Sequence, residues 1–286
     1  MKRILFASAA AAALAVNLYA FDSEASLKPL GGARQYTKTE YTITEKFGDY
    51  YRSPRAKFVH VFDAAGKEIQ SSELTNKDAL VDKVSYTYDA GGKLAEQVCT
   101  DADGKIQWKI TAAYDASGNK TEESEFNSSE TLVNKTIWKI SDGGKQADES
   151  YYNADGALLS KIITKYDDQG RTSEVATYNP DGSLQQKAAY AYNDAGKLSE
   201  IAYSDAFGNA ANKKVFRFDA SYQITEEQTY SAENKLSERI IYKYDANGNI
   251  IKKTTYNVAE KFGTTVNELI GIEEFVYGNA ASSAAN

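Results

Sequence analysis

The chain has 286 residues, a formal net charge of −7 and a single cysteine. One cysteine excludes internal disulfides, and the acidic balance disfavours nucleic acid as the main partner. The sequence contains 21 Tyr and 19 Gly but only 3 Pro, which is typical of strands joined by turns and predicts an all-β protein.

The first twenty residues, MKRILFASAAAAALAVNLYA, have the pattern of a secretory signal peptide. This run is too short and too rich in alanine to predict a membrane span, and no later segment predicts one. The only cysteine is Cys99, so none stands at the cleavage site to carry a lipid. We therefore expect a bacterial protein exported to the periplasm or the cell exterior, and not a lipoprotein. We also expect an N-terminal lead-in at residues 21–40 and a flexible tail at residues 279–286.

A repeat of 26 residues organises the rest of the chain. Its clearest marker is a turn position that recurs without insertion or deletion at Asp63, Asp89, Asp115, Ser141, Asp167, Asn193, Asp219 and Asp245. Glycine follows three residues later in most copies, and a second turn alternates with the first at spacings of 12 and 14 residues. The segment Asn179-Pro180-Asp181-Gly182 fits a type I turn followed by a G1 bulge, the three-residue hairpin loop.

Each repeat is therefore predicted to hold two strands and two hairpin turns, in a repeat domain that spans residues 41–278. Successive strands should form a long antiparallel meander, either as an open single-layer sheet or as a curled, shell-like sheet.

The tetrapeptide EKFG occurs near both ends of the array, at residues 45–48 and 260–263. The two copies lie 215 residues apart, which is eight repeats and seven residues. We predict two enlarged terminal hairpins, at residues 41–62 and 256–277, that project from one edge and cap the array. The first hairpin carries Tyr50, Tyr51, Arg52 and Arg55, which are candidates for contacting a partner.

Even-numbered strand positions are mostly aromatic or aliphatic and odd-numbered positions mostly polar, which predicts one aromatic face and one polar face. A series of acids recurs at 26 residues: Glu96, Glu122, Asp148, Glu174, Glu200 and Glu226. Its even numbering places it on the aromatic face, opposite Tyr86, Ala112, Trp138, Thr164, Tyr190 and Phe216. Carboxylates flanked by aromatic rings suit a sugar; tyrosine hydroxyls and water, or a bound cation, are the alternatives.

The candidate ligand-binding residues are Tyr86, Glu96, Trp138, Glu174, Tyr190, Glu200, Glu226 and Tyr242. On the polar face, basic residues at the same period predict a salt-bridge ladder in which Lys135 pairs with Glu123, Lys161 with Glu149 and Arg239 with Glu227.

Several segments resemble the YD repeats of the RHS family, namely YTYDAGGKLAE, KYDDQGRTSE, YNPDGSLQQKAAYAYNDAGKLSE and YKYDANGNI. The resemblance covers roughly residues 58–257. It implies an exported or surface-displayed β-repeat protein, and it adds carbohydrate binding as a property linked to some YD-repeat proteins. Large members enclose a toxin in a hollow shell, but this chain is short and lacks their core-associated signature and C-terminal toxin domain. We therefore expect the fold to carry over and the toxin-delivery role not to.

The sequence predicts no catalytic residue, no metal site and no cofactor. Its only histidine, His60, falls at the repeat position of Tyr86 and Tyr190, so we interpret it as a residue that fills the aromatic face. The leading hypothesis is a non-catalytic binding or interaction scaffold for a carbohydrate or a cell-surface partner. The second is a structural envelope or matrix protein that self-associates through sheet edges. An enzyme is the third.

Overall fold

A computed structural model describes residues 27–278. The predicted signal peptide, the first part of the lead-in and the tail at residues 279–286 lie outside this range. The described chain is built of strands, apart from a short 3-10 helix at Asp142–Gly144, so the all-β prediction is confirmed. None of the helices in residues 27–278 has the length and hydropathy that crossing a bilayer requires.

The strands of the described chain run in the order β1 (Gln35–Lys46), β2 (Asp49–Phe62), β3 (Glu68–Thr75), β4 (Leu80–Tyr88), β5 (Leu94–Asp101), β6 (Ile106–Tyr114), β7 (Lys120–Asn127), β8 (Leu132–Ser141), β9 (Gln146–Asn153), β10 (Leu158–Tyr166), β11 (Thr172–Tyr178), β12 (Leu184–Tyr192), β13 (Leu198–Asp205), β14 (Ala210–Phe218), β15 (Ile224–Tyr230), β16 (Leu236–Tyr244), β17 (Ile250–Lys261) and β18 (Thr264–Gly278).

The described residues divide into two compact units. Unit 1 is Trp108–Asn212 and contains most of β6, all of β7 to β13 and the start of β14. Unit 2 combines Lys28–Gln107 with residues 213–278, and so contains β1 to β5, the start of β6, most of β14 and all of β15 to β18. Within each unit, strands that follow one another in sequence pair as antiparallel neighbours, which confirms the tandem hairpins.

The hairpin turns have the predicted chemistry. At Asn179, the backbone N–H donates to Ser183 O at 2.9 Å, and the Gly182 N–H donates back to Asn179 O at 2.9 Å. Gly182 has φ of 82°, in the left-handed region that a G1 bulge requires and that glycine occupies without steric cost. The Asp side chain of many turns also accepts backbone N–H groups, as Asp245 Oδ1 does from Asn247 and Asn249 at 2.8 and 2.9 Å.

The second tyrosine of the Tyr-x-Tyr-Asp motif links the end of its strand to the start of the strand before it. Tyr88 donates its hydroxyl to Glu68 O at 2.7 Å, and Tyr192 donates to Thr172 O at 2.6 Å. Tyr244 makes the same bond to Ile224 O at 2.8 Å. In each case the acceptor lies twenty residues earlier, at the start of the preceding strand, so this tyrosine links two consecutive strands and is structural.

The open or curled, shell-like sheet expected from the sequence is wrong. All eighteen strands belong to one sheet. Within unit 2, β1 pairs with β2 on one side and with β18 on the other, from Gln35 opposite Gly278 to Tyr41 opposite Ile272. The first and last strands therefore satisfy each other's backbone groups, and neither is a free edge at the end of the strand array.

The terminal hairpins are long because their strands are long. The seven additional residues extend β17 and β18, and the matching positions extend β1 and β2, while each EKFG contributes a turn of only two residues. Phe47 and Gly48 have φ of 55° and 86°, and Phe262 and Gly263 have φ of 52° and 75°. Positive φ at both central residues is the mark of a type I′ turn, whose twist matches that of the strands it joins.

Candidate functional site

The predicted acid series does not lie on the aromatic face, so that placement is wrong. Directly opposite residues of antiparallel strands share a face, and Tyr190 lies opposite Ile201 while Glu200 lies opposite Ala191. The same shift by one residue places Glu96 opposite Thr87, Glu174 opposite Lys165 and Glu226 opposite Arg217. Four of the eight candidate ligand-binding residues, Glu96, Glu174, Glu200 and Glu226, therefore lie on the polar face, away from the four aromatic candidates.

A second β-bulge in the hairpins of Glu96, Glu174, Glu200 and Glu226 causes the shift. Beyond the turn after β12, Leu198 pairs with Tyr192 but Glu200 pairs with Ala191, so Ser199 is an extra residue in β13. One extra residue moves every later side chain of that strand to the other face. The Ser199 hydroxyl donates to Ala191 O across the strands at 3.1 Å, and Ser173 donates to Lys165 O at the same distance.

The acid series instead forms the salt-bridge ladder of the polar face. Lys135 Nζ lies 3.0 Å from Glu122 Oε1, and Lys161 Nζ lies 2.6 Å from Asp148 Oδ2. Glu174 binds Lys165 and Lys187, each at 3.0 Å. Arg239 Nε lies 2.6 Å from Glu226 Oε1. The predicted ladder exists, but its carboxylates are one residue earlier than expected: Glu122, Asp148 and Glu226 in place of Glu123, Glu149 and Glu227.

A different carboxylate lies on the aromatic face where β8 and β9 meet, because the turn at Asp142–Gly144 pairs Ser141 with Gln146 and the two strands continue without a bulge. In unit 1, Glu149 on β9 lies directly between Trp138 on β8 and Ile162 on β10. Tyr151 shares this face two residues farther along β9, opposite Ser160 on β10. We call Trp138, Glu149, Tyr151 and Ser160 the Trp138 cluster.

Glu149 is held by its aromatic neighbours. Tyr151 donates its hydroxyl to Glu149 Oε2 at 2.8 Å, and the Trp138 side chain hydrogen-bonds the same carboxylate. Burial raises the pKa of Glu149 above its ordinary value, and these hydrogen bonds only partly offset the effect. Burial together with the nearby Glu149 charge raises the pKa of Tyr166 as well. The cluster is thus a desolvated carboxylate surrounded by rings.

A lysine covers part of the same site. Lys120 Nζ lies 4.8 Å from the centre of the Trp138 ring, in a cation–π contact, and 2.7 Å from Glu123 Oε2. Trp138, Glu149, Tyr151 and Lys120 are all only half-buried, so solvent reaches this part of the aromatic face.

The neighbouring part of unit 1 is dry. Ile162 and Val175 are buried on β10 and β11, and Tyr151 and Tyr190 pack against them. Ser160 is 5% exposed, and its hydroxyl has no hydrogen-bond partner among residues 27–278; the Tyr190 hydroxyl has none either. Burial raises the pKa of Tyr190. A buried hydroxyl without a partner carries an energetic cost that a ligand hydroxyl or a water would relieve.

The remaining aromatic candidates lie in unit 2, each with a partner. The Tyr86 hydroxyl lies 3.0 Å from Ser71 Oγ, and burial raises the pKa of Tyr86 to about 12. The Tyr242 hydroxyl donates to Glu227 Oε2 at 3.4 Å, and Lys214 Nζ lies 2.5 Å from the other oxygen of that carboxylate. The aromatic face of unit 2 is therefore closed by internal pairs around these candidates.

His60 is buried against Tyr36, with the ring centroids 4.5 Å apart. Its Nδ1 lies 2.5 Å from Glu68 Oε1, and its Nε2 finds no partner in the described chain. Cys99 is buried and burial raises the pKa of its thiol to about 11, so it remains a protonated thiol at neutral pH. Within residues 27–278, no group of three or more His, Cys, Asp and Glu could hold a metal ion.

The candidate partner residues of the first terminal hairpin separate into two pairs. Tyr50 and Tyr51 are exposed near its tip. Arg52 lies over the Tyr41 ring and 2.5 Å from Glu274 Oε1, and Arg55 forms an ion pair with Glu40. Both arginines are thus engaged within the protein.

Comparison with known proteins gives likenesses of structure alone. No family model matches the chain, and no curated protein matches it. A crystal structure of a porin-like protein from Bacteroides uniformis ATCC 8492 aligns with 87% of this chain and 99% of its own, at a TM-score of 0.47 and 10% identity.

Two toxin structures also align. The TcdB2-TccC3-Cdc42 complex aligns at a TM-score of 0.31 and 15% identity, with 80% of this chain and 14% of that one covered. The Photorhabdus luminescens Tc holotoxin pore aligns at a TM-score of 0.31 and 17% identity, with 76% and 12% covered. The chain thus spans a small part of the length of the toxin chains that it matches.

Sequence reasoning missed Glu149 as a candidate because it assigned even-numbered residues of β9 to the aromatic face, whereas the turn at Asp142–Gly144 places Glu149 opposite Trp138. In other repeats a signal of the change of face was present, since Ser or Thr occupies the extra position at Thr121, Ser173, Ser199 and Thr225, and Ala147 replaces it in this repeat. Each of these hydroxyls donates to a carbonyl of the facing strand. A small hydroxyl residue that recurs two residues after a turn therefore marks the bulge and the change of face.

Proposed function

We propose that this protein is a non-catalytic, exported β-repeat scaffold of the RHS and YD-repeat type that binds carbohydrate at the Trp138 cluster of unit 1. The observation that carries the proposal is the half-buried carboxylate of Glu149, set between the Trp138 ring and the Tyr151 hydroxyl on a solvent-reached part of the aromatic face. The repeat motifs and the N-terminal signal pattern support the family and the export.

The chemistry of the cluster matches the chemistry of a sugar. An aromatic ring offers a flat apolar surface to the C–H groups of a pyranose, and a desolvated carboxylate accepts strong hydrogen bonds from its hydroxyls. The unpartnered Ser160 hydroxyl adds a group that both donates and accepts. Lys120 would have to move from the Trp138 ring, or share it from the opposite face.

The test is a glycan array probed with the purified protein, followed by titration calorimetry of the best glycan with the wild type and Trp138→Ala. Loss of the ring should weaken binding by about tenfold or more, because an aromatic contact at the centre of a site contributes more than 1 kcal/mol.

Ile137→Ala is the matched control. Ile137 is the neighbour of Trp138 on β8, is 40% exposed and lies on the opposite face. Its truncation should leave the affinity unchanged. An array without any retained glycan, or equal weakening by both substitutions, would contradict the proposal.

The alternatives have weaker physical support. Self-association through sheet edges would need unpaired strands, and β1 and β18 pair with each other. An enzyme would need a nucleophile or acid–base pair in reach of a ligand, whereas His60 and Cys99 are buried.

A further inference from the structure

The two EKFG hairpins are structural copies of each other. In the first, a register shift at Glu40/Tyr41 leaves Arg55 as the extra residue; in the second, a shift at Thr255/Tyr256 leaves Ile270. Both extra residues follow the tip phenylalanine by eight positions. The pairing of β1 with β18 ends at Tyr41 opposite Ile272, so each hairpin continues beyond that point without its neighbour.

The tips carry the most exposed aromatic side chains of the described chain. Phe47 is 104% exposed and Phe262 is 106% exposed, relative to the reference for a free residue. A Cβ added at Gly48 or Gly263 would meet nothing within 4 Å, so both turns stand in open space. Two fully exposed phenylalanines at equivalent positions are an unusual feature for a protein surface, and indicate an interaction site.

The two tips point in the same direction and lie close together. β1 and β18 are antiparallel neighbours, so the end of β1 and the start of β18 leave the sheet on the same side. The charge of Glu45 and the Tyr50 hydroxyl both act on Lys261, which places the first tip beside the second. The phenylalanines therefore form a two-pronged surface within unit 2, which we call the tip pair.

We propose that the tip pair docks this protein on a zwitterionic phospholipid surface, with Phe47 and Phe262 inserted at the boundary between headgroups and acyl chains. The charges beside each ring alternate in sign. Lys46 precedes the first ring and matches a lipid phosphate, while Glu45, Asp49 and Glu260 match choline or ethanolamine groups; Lys261 is paired with Glu268 within its own hairpin. Tyr50 and Tyr51 follow on the first hairpin, and tyrosine favours the headgroup depth of a membrane.

A lipid surface fits these tips better than a protein partner does. The groups that would give a protein interface its specificity are already used, because Arg52 binds Glu274 and Arg55 binds Glu40. The groups that remain are the two exposed phenylalanine rings, Phe47 and Phe262, which stand on separate hairpins without an apolar surface around them. Each ring can insert into a fluid bilayer independently of the other, whereas a protein partner would need two pockets at the matching distance. The net charge of −7 argues against attraction to an anionic surface.

The test is flotation of the full chain with dioleoylphosphatidylcholine vesicles. The wild type should float with the vesicles, and Phe47→Ser combined with Phe262→Ser should lower the partition coefficient by about tenfold or more. Phe207→Ser is the matched control, because Phe207 is also exposed in a hairpin turn, at 90%, but lies outside the two EKFG hairpins. It should float like the wild type.

Three results would overturn the proposal. The first is a wild type that stays with the unbound fraction, and the second is a double variant that floats as well as the wild type. The third is concentration-dependent dimerisation that the double variant abolishes without any vesicle binding, since the occupant would then be a second copy of this chain. Glycan affinity should be the same in the wild type and the double variant. Failure of the membrane proposal would therefore leave the carbohydrate proposal standing, and the reverse also holds.

Discussion

At the scale of single residues, Glu149 and Glu174 show how one residue type acquires opposite roles. Glu149 faces rings, and burial raises its pKa. Burial also pulls the pKa of Glu174 upward, but hydrogen bonds from Lys165 and Lys187 outweigh that effect and lower it. The first carboxylate costs stability when ionised, and the second contributes stability when ionised.

Substitution by glutamine should separate these two roles. Glu149→Gln removes a buried charge, so it should raise the free energy of unfolding at pH 7 by up to about 1 kcal/mol. This gain in stability should vanish as the pH falls below 4.5, the ordinary pKa of glutamate, because Glu149 is then neutral in both the folded and the unfolded state. The measurement is urea unfolding followed by tryptophan fluorescence between pH 3.5 and 8.

Glu174→Gln is the control, with the opposite sign. Because the pKa of Glu174 is lowered in the folded state, its ionised carboxylate stabilises the fold at pH values above 4.5, the ordinary pKa of glutamate. This stabilisation is lost as the pH falls through the pKa of Glu174 in the folded state. The substitution should cost a few tenths of a kcal/mol to about 1 kcal/mol at pH 7, because the ion pairs are partly solvated. If both substitutions destabilise at pH 7, the assignment of Glu149 to a desolvated environment is wrong.

At the scale of elements, the hairpin turn is the unit that the sequence specifies best. Most turns place glycine at the left-handed position, but Asp78, Glu130, Tyr222 and Asn234 occupy it in four turns of the described chain, with φ between 57° and 64°. A non-glycine residue in that conformation is strained by roughly 1 kcal/mol or more. These turns form nevertheless, because the strands on either side fix their geometry.

Tyr222→Gly should therefore stabilise the protein by about 0.5–1 kcal/mol, since Tyr222 is 54% exposed and its ring loses little contact. Gly182→Ala is the matched control: it introduces the same strain at φ of 82° without a clash, and should destabilise by about 1 kcal/mol. Both changes in stability are measured from the midpoint of urea unfolding. A destabilising Tyr222→Gly would show that the ring has a packing role.

The repeat, the turns and the alternation of faces could be predicted because they are local and periodic. The bulge at Ser199 could not be read from the period, since an extra residue at a fixed place in the repeat leaves the spacing of 26 unchanged. It nevertheless reverses the face of every residue after it in the strand. The equivalent bulge at Ser173 places Glu174 on the polar face, whereas the turn at Asp142–Gly144 sets the pairing that places Glu149 opposite Trp138.

At the scale of the whole molecule, the pairing of β1 with β18 was also beyond local reasoning. It joins residues more than 200 positions apart, and no motif encodes such contacts. The duplicated EKFG had marked the two ends of the array, and the structure brings those ends together in neighbouring hairpins of unit 2. The pairing of β1 with β18 leaves neither terminal strand as the free edge that self-association would require.

The central claim is that the aromatic face of unit 1, and not the polar ladder, binds the ligand. The direct measurement is calorimetric titration of the glycan selected on the array into Glu149→Gln and Glu174→Gln at neutral pH. Loss of a charged hydrogen bond predicts about tenfold weaker binding for Glu149→Gln and an unchanged affinity for Glu174→Gln. Weakened binding by Glu174→Gln with full affinity in Glu149→Gln would place the ligand on the polar face and contradict the account.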